Sequence, residues 1–211
     1  MAIDSAGNVY LAGQTYGSLG GTYQGGSDAW VAKYTADGHL VWTRQLGTPG
    51  SDAATGVATD AAGDVCLTGP TSGSLGGANK GDYDAWVAKY GADGSLVWTQ
   101  QFGSKEADLP TGVATDADGD VYLTGYAGTA AHRDGWSAWV AKYAVDGRRI
   151  WKRQPGSEHN DWATALATDA SGNAYVTGYT WGSFGGANKG DADAWLLKLS
   201  KTTQPTDWFN D

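Results

Sequence analysis

The chain has 211 residues, enough for one domain that buries roughly 70% of its unfolded surface, and carries a formal charge of −9 from 23 acidic against 14 basic residues. That balance counts against nucleic acid and anionic membrane surfaces, which need clustered Lys and Arg, and leaves cations, neutral polymers and sugars as partners. No run is long enough for insertion into a membrane and no secretory leader is read at the start; Met1 opens directly into the end of a repeat, as a segment of a longer chain would.

In chain order, the first repeat keeps only Met1-Ala2-Ile3 of an innermost strand. The turn Asp4-Ser5-Ala6-Gly7-Asn8 leads to Val9-Tyr10-Leu11, and Asp28-Ala29-Trp30-Val31-Ala32-Lys33-Tyr34 follows a Gly-rich loop. The second repeat shows the whole unit. Strands are expected over 55–59, 65–69, 84–90 and 95–102, with a turn at 60–64, a Gly/Ser loop at 70–83 and the turn Gly91-Ala92-Asp93-Gly94. Asp-Gly between apolar runs is a hairpin signal, because Gly accepts the positive φ of the turn. The third repeat places the two motifs at 116–123 and 137–143, and the fourth at 169–176 and 193–199. The turn motif therefore recurs at spacings of 56, 56 and 53 residues. The pattern fades after Leu199, where Pro205-Thr206-Asp207-Trp208-Phe209 stands in for a fourth strand, with Trp208 near the register of Trp42, Trp98 and Trp151. Cys66 replaces the Tyr of the sister repeats (Tyr10, Tyr122, Tyr175) and reads as a buried packing residue; a lone cysteine forms no internal disulfide.

Repeats of this length bury their faces only by stacking on one another. Four antiparallel strands per unit make an all-β fold, a β-propeller of four-stranded blades, with repeats near 1–54, 55–110, 111–163 and 164–211 in a single domain. Small residues in the first strand (Gly56, Ala58, Gly112, Ala114) suit the crowded channel, and Trp86 and Trp98 suit the widening outer gap. A closed four-bladed monomer is expected; the alternative is half of an eight-bladed ring completed by a homodimer, because unclosed β edges associate.

The runs Asp-x-x-Gly-Asn-Val-Tyr-x-x-Gly, Gly-x-x-Asp-Ala-Trp-Val-Ala-Lys and Asp-Gly-x-Leu-Val-Trp resemble SBBP repeats, β-propeller repeats of large exported bacterial and archaeal proteins. The resemblance covers essentially the whole chain. It implies the propeller and an extracellular or cell-surface location, and it implies no particular activity.

What the copies share is read as scaffold; what one copy breaks is a candidate site. Asp52, Asp108 and Asp161 align before the innermost strand, and Asp28, Asp84 and Asp193 open the third, with Ser137 as the exception. Strand-end carboxylates of this kind close adjoining loops; the functional alternative is calcium held by Asp52, Asp108 and Asp161 at the channel mouth. No cofactor is otherwise required. The string Asp116-Ala117-Asp118-Gly119-Asp120 has its Gly at the wrong place for an EF-hand and lacks the closing Glu, so it reads as a structural turn. His39, beside Asp37-Gly38, reads as a solvated side chain.

Eight of the 11 Trp belong to the repeated framework. The remaining three, Trp136, Trp162 and Trp181, map to loops on one face of the third and fourth repeats. Ala131-His132-Arg133-Asp134-Gly135 and Glu158-His159-Asn160-Asp161 fall on the same face. Exposed Trp rings with convergent polar groups (His132, Arg133, Asp134, His159, Asn160, Asp161) describe a ligand site, here for a glycan or surface polymer. Two alternatives use the same residues. His132, His159 and Glu158 or Asp161 supply three zinc ligands for a hydrolase, and Asp134 with Asp161, or Glu158 with Asp161, a carboxylate pair for glycoside cleavage. A purely structural or adhesive spacer is the third class.

Overall fold

A computed structural model describes residues 1–129 and 135–201. Four antiparallel sheets follow one another along the chain. Blade 1 is β1 (Ala2–Ile3), β2 (Val9–Thr15), β3 (Asp28–Tyr34) and β4 (Leu40–Leu46); blade 2 is β5 (Gly56–Thr59), β6 (Val65–Thr71), β7 (Asp84–Tyr90) and β8 (Leu96–Phe102). Blade 3 is β9 (Asp108–Thr115), β10 (Val121–Gly128), β11 (Trp136–Tyr143) and β12 (Arg149–Arg153), and blade 4 is β13 (Asp161–Thr168), β14 (Ala174–Thr180) and β15 (Asp193–Leu199). The stand-in for a fourth strand around Trp208 lies outside the described residues. The fold is all-β and propeller-like.

The hairpins follow from turn chemistry. The carboxylate of Asp4, Asp60, Asp116 and Asp169 in turn accepts the main-chain N–H groups two and four residues ahead. The fourth residue of the turn, Gly7, Gly63, Gly119 or Gly172, holds φ between 77° and 82°, where a Cβ is strained. Asp116 is buried, and its other oxygen faces the Lys142 ammonium at 3.5 Å, which also lies 2.9 Å from Asp120. Lys89 sits likewise between Asp60 and Asp64. Asp118 pairs with Lys201.

Each blade turns one face forward, to the next blade, and one to the rear. Tyr10, Ala29, Val31 and Trp42 of blade 1 pack on Val65, Leu67, Trp86 and Tyr90 of blade 2. Cys66, Val87 and Phe102 meet Val121, Leu123, Trp139 and Tyr143 of blade 3, and Ala138 and Val140 meet Val176, Trp195 and Leu197 of blade 4. Hydrogen bonds stitch the same seams. The indoles of Trp42 and Trp98 donate to the carbonyls of Ala92 and Val145, and Thr55 and Thr111 hydroxyls donate to those of Pro110 and Ala163.

The closed four-bladed ring expected from the sequence is not what the described residues form. Blade packing runs from 1 to 4, and among the described residues no comparable packing brings blade 4 back onto blade 1. Leu196 on the forward face of blade 4 is 72% exposed, whereas its counterparts Val31, Val87 and Val140 are buried.

Candidate functional site

The top face carries the links between blades and the loops between second and third strands. Each link is tied down by one buried carboxylate. Asp52 accepts the main-chain N–H (2.6 Å) and hydroxyl of Thr48, and the Thr71 hydroxyl. Asp108 accepts the N–H (2.7 Å) and hydroxyl of Ser104, with the Lys152 ammonium at 3.5 Å. Asp161 accepts the N–H (2.7 Å) and hydroxyl of Ser157. Asp108 and Asp161 are the first residues of β9 and β13 rather than residues before them, because each pairs across the ladder, with Ala127 and Thr180. The three carboxylates do not converge. Among the described residues no group of three or more His, Cys, Asp or Glu side chains is placed to hold a metal ion. Each carboxylate is occupied in closing its own loop, which corrects the reading of Asp161 as a residue presented to a sugar hydroxyl.

Asp28 and Asp84 do the same for the loops of their own blades, accepting the N–H of Gln24 and Lys80 and the side-chain amides of Gln45 and Gln101.

The link into blade 4 differs in what it carries. Asn160 is bonded at both ends: its Oδ1 accepts the Trp136 N–H at 3.0 Å, and its main-chain oxygen accepts the Trp181 N–H at 2.9 Å. One residue thus fixes two of the unshared tryptophans relative to the third, Trp162, two positions on. The Trp162 ring lies 4.6 Å from Trp181 and 5.1 Å from Tyr179, the latter within 25° of parallel. Tyr179 and Trp181 are 5.3 Å apart. On the other side Tyr126 contacts Trp162 at 6.1 Å and Trp136 at 5.3 Å, edge to face. The five rings form one connected surface. Trp181 and Tyr179 are exposed, at 41% and 37%, and Tyr126, Trp136 and Trp162 are half-buried. Burial, with the Tyr179 phenol nearby, raises the pKa of Tyr126, so its hydroxyl stays neutral.

The structure therefore brings together Trp136, Trp162, Trp181 and Asn160, the last as a clamp on backbone rather than a free amide. His159 is part of the same link, its N–H donating to the Ser157 hydroxyl. Glu158 is exposed. His132, Arg133 and Asp134 lie outside the described residues, and with them the zinc set that needs His132 and the carboxylate pair that needs Asp134.

Tyr126 and Tyr179 escaped the reading of the sequence. Their counterparts are Gln14 and Pro70, so the register varies as freely as the Trp positions do. A search of all aromatics, rather than of Trp alone, finds them. The equivalent place in blades 1 to 3 shows what the substitution does. There Gln14, Ala53, Pro70 and Leu109 line a cleft of about 200 Å³. Tyr126, Trp162 and Tyr179 occupy the same registers and replace an open cleft by a ring-faced wall.

Residues 97–129 and 150–185 match the SBBP family, described as a beta-propeller repeat. These two stretches are similar to SBBP repeats. Each matched stretch starts in the outermost strand of one blade and runs through the link into the first two strands of the next, so each staples two blades and includes the top-face link. Regulatory protein FlaEY of Caulobacter vibrioides is 27% identical over 169 residues, 70% of this chain and 18% of that protein. The chain thus spans under a fifth of that relative's length. Among solved structures, the Hadza microbial sialidase Hz136 superposes with a TM-score of 0.57 at 10% identity, over 95% of this chain and 45% of that one. A protein of unknown function from Bacteroides caccae gives 0.47 at 12%, over 90% and 57%. At such identity the sialidase likeness is one of fold. Among the described residues no helix is long and apolar enough to cross a membrane.

Proposed function

We propose that this chain is a non-catalytic binding module of an exported protein, and that it takes a carbohydrate or surface polymer on the top-face rings between blades 3 and 4. One observation carries the reading. The three tryptophans outside the repeated pattern are gathered with Tyr126 and Tyr179 into a single half-exposed aromatic surface. Packing alone does not call for it, since the same registers in blades 1 and 2 are Gln14, Ala53 and Pro70 and those blades stack without it. Flat rings present apolar faces to the C–H faces of sugars, and their uncharged character suits a neutral ligand. Repeats in series multiply such a site along a polymer, where linked sites gain avidity.

A glycan array probed with the wild-type chain, Trp162→Ala and Trp181→Ala tests the reading. Both substitutions are expected to weaken binding by about 30-fold or more, the loss of a buried aromatic contact of about 2 kcal/mol. Trp181 is exposed enough that its removal leaves the fold intact. Full binding by both variants, or no binding of any glycan or polymer by the wild type, overturns the proposal.

A further inference from the structure

Among the described residues three blade seams are filled and the two end faces are bare, and the bare faces match. On the forward face, Val31, Val87 and Val140 are at most 1% exposed, but Leu196 in the same register is 72% exposed. Ala29, Ala85 and Ala138 are sealed, and Ala194 is exposed. Thr68 and Thr124 are buried, and Thr177 is exposed. On the rear face, Val65 and Val121, Leu67 and Leu123, Trp86 and Trp139, and Tyr90 and Tyr143 are all buried. Their blade 1 counterparts Val9, Leu11, Trp30 and Tyr34 are only half-buried, and Ile3, paired with Val9 across the ladder, is 60% exposed.

We infer that blade 4 of one molecule docks on blade 1 of a second copy of this chain, remaking across molecules the seam that joins consecutive blades within it. The occupant follows from the chain's own seams. In each of them a forward face of this composition is covered by a rear face of Val or Ala, Leu or Val, Trp, and Tyr or Leu. Blade 1 presents that set, Val9, Leu11, Trp30 and Tyr34, in the same strand registers. Shape in the inner strand agrees. A Cβ at Gly56 or Gly112 would press on Val113 or Leu166 of the next blade, so that register is held small where a blade follows. Ala165 keeps it small on blade 4, though it is exposed. The polar stitch is also waiting: the Tyr10 and Tyr122 hydroxyls each reach the main-chain oxygen of a turn glycine in the next blade, Gly63 and Gly172. Tyr175 holds the same register in blade 4, and Gly7 the same turn position in blade 1. Such a contact is heterologous, head to tail, so two copies close a ring or successive copies extend a row. Apolar faces left bare on this scale mark interaction surfaces.

Sedimentation over about a hundredfold dilution series tests this. The wild-type chain is expected to associate as concentration rises. Leu196→Glu and Ile3→Glu change exposed side chains at opposite ends, and each is expected to sediment as a monomer with unchanged circular dichroism. Each variant retains one intact end, so an equimolar mixture is expected to form a one-to-one complex and nothing larger. A wild-type chain that stays monomeric throughout overturns the inference and leaves these faces to further blades of a longer polypeptide. So does association by Leu196→Glu equal to the wild type, or a mixture of the two variants that stays monomeric.

Discussion

The Trp162 and Tyr179 rings lie 5.1 Å apart and within 25° of parallel, at directly paired positions of β13 and β14. Cross-strand aromatic pairs of this kind hold each other's rotamers. Trp181 meets both rings from beyond the end of β14, with its N–H anchored on the Asn160 oxygen. The cluster is therefore ordered by the sheet ladder rather than by the loop alone.

Indoles 4.6 Å apart couple their electronic transitions. The wild-type chain is expected to show an exciton couplet in its aromatic circular dichroism. Trp162→Phe and Trp181→Phe should each abolish it, and the double substitution should remove no more than either single one. A couplet that survives both would mean the rings do not meet in solution.

Asn160 works through its acceptor. Asn160→Ala leaves the Trp136 N–H without its partner and is expected to cost about 1–2 kcal/mol in denaturant unfolding. Asn160→Asp keeps an acceptor oxygen and should recover most of that loss. Ligand affinity should follow the same order if Trp136 contributes to the surface. Equal stability for the Ala and Asp variants would remove Asn160 as the clamp.

The second-strand glycines show how the neighbouring strands of the same blade raise the cost of one methyl group. A Cβ at Gly125 would fall on the Leu109 carbonyl and the Trp139 ring, at a bulge between Thr124 and Gly125. At Gly13, the same register in blade 1, the nearest atom is Trp30 Nε1 at 3.3 Å. Gly125→Ala is expected to destabilise by about 3 kcal/mol or more, because rigid backbone must shift. Gly13→Ala should cost about 1 kcal/mol or less, since the innermost strand beside it is only Ala2–Ile3. Comparable losses at both sites would contradict this account.

The blades were legible because their signals are local. An Asp-x-x-Gly turn, a short apolar run and a third-strand Trp each report on neighbours a few residues away. Subtracting the shared pattern also located Trp136, Trp162 and Trp181, since a departure from a repeat is visible without coordinates. Closure was not legible. Whether blade 4 meets blade 1 depends on how small tilts accumulate over three seams, and no residue encodes that sum. The role of Asn160 was hidden for a related reason: an amide in a loop reads as a ligand group, and only the fold shows its oxygen spent on Trp136.

Acid should weaken the turns closed by Asp4 and Asp169 in a particular window. Hydrogen bonds from Asn173, first its side chain and then its N–H, hold the Asp169 carboxyl down at about 2. In Asp4 desolvation pushes the carboxyl up, and the hydrogen bonds from Asn8, Tyr10 and the Ala6 N–H together outweigh it and lower the value. A carboxyl depressed in the folded state contributes stability above its unfolded value, near 3.8, and loses it as pH falls through the folded one. Urea midpoints are therefore expected to drop between about pH 4 and pH 2, and Asp169→Asn should flatten that drop. An identical pH profile for Asp169→Asn would remove this turn as a source of the acid sensitivity.

Cys66 reports on one seam. It is fully buried between blades 2 and 3, in a cluster with Val121, Leu123 and Trp139. Burial pushes the thiol up to about 12, against the pull of the Lys89 ammonium, so the thiolate is essentially absent at neutral pH. An aromatic disulfide reagent must wait for the blades to part. The folded chain is expected to resist labelling for as long as it stays folded, and denaturant should make the single thiol react at once. Under native conditions the labelling rate should then equal the opening rate of this seam and become independent of reagent concentration when reagent is in excess. Leu123→Ala, which hollows the packing against Cys66, should speed labelling about tenfold or more, as expected for a loss of about 2 kcal/mol. Labelling at the rate of a free thiol in the folded wild-type chain would place Cys66 outside any closed seam.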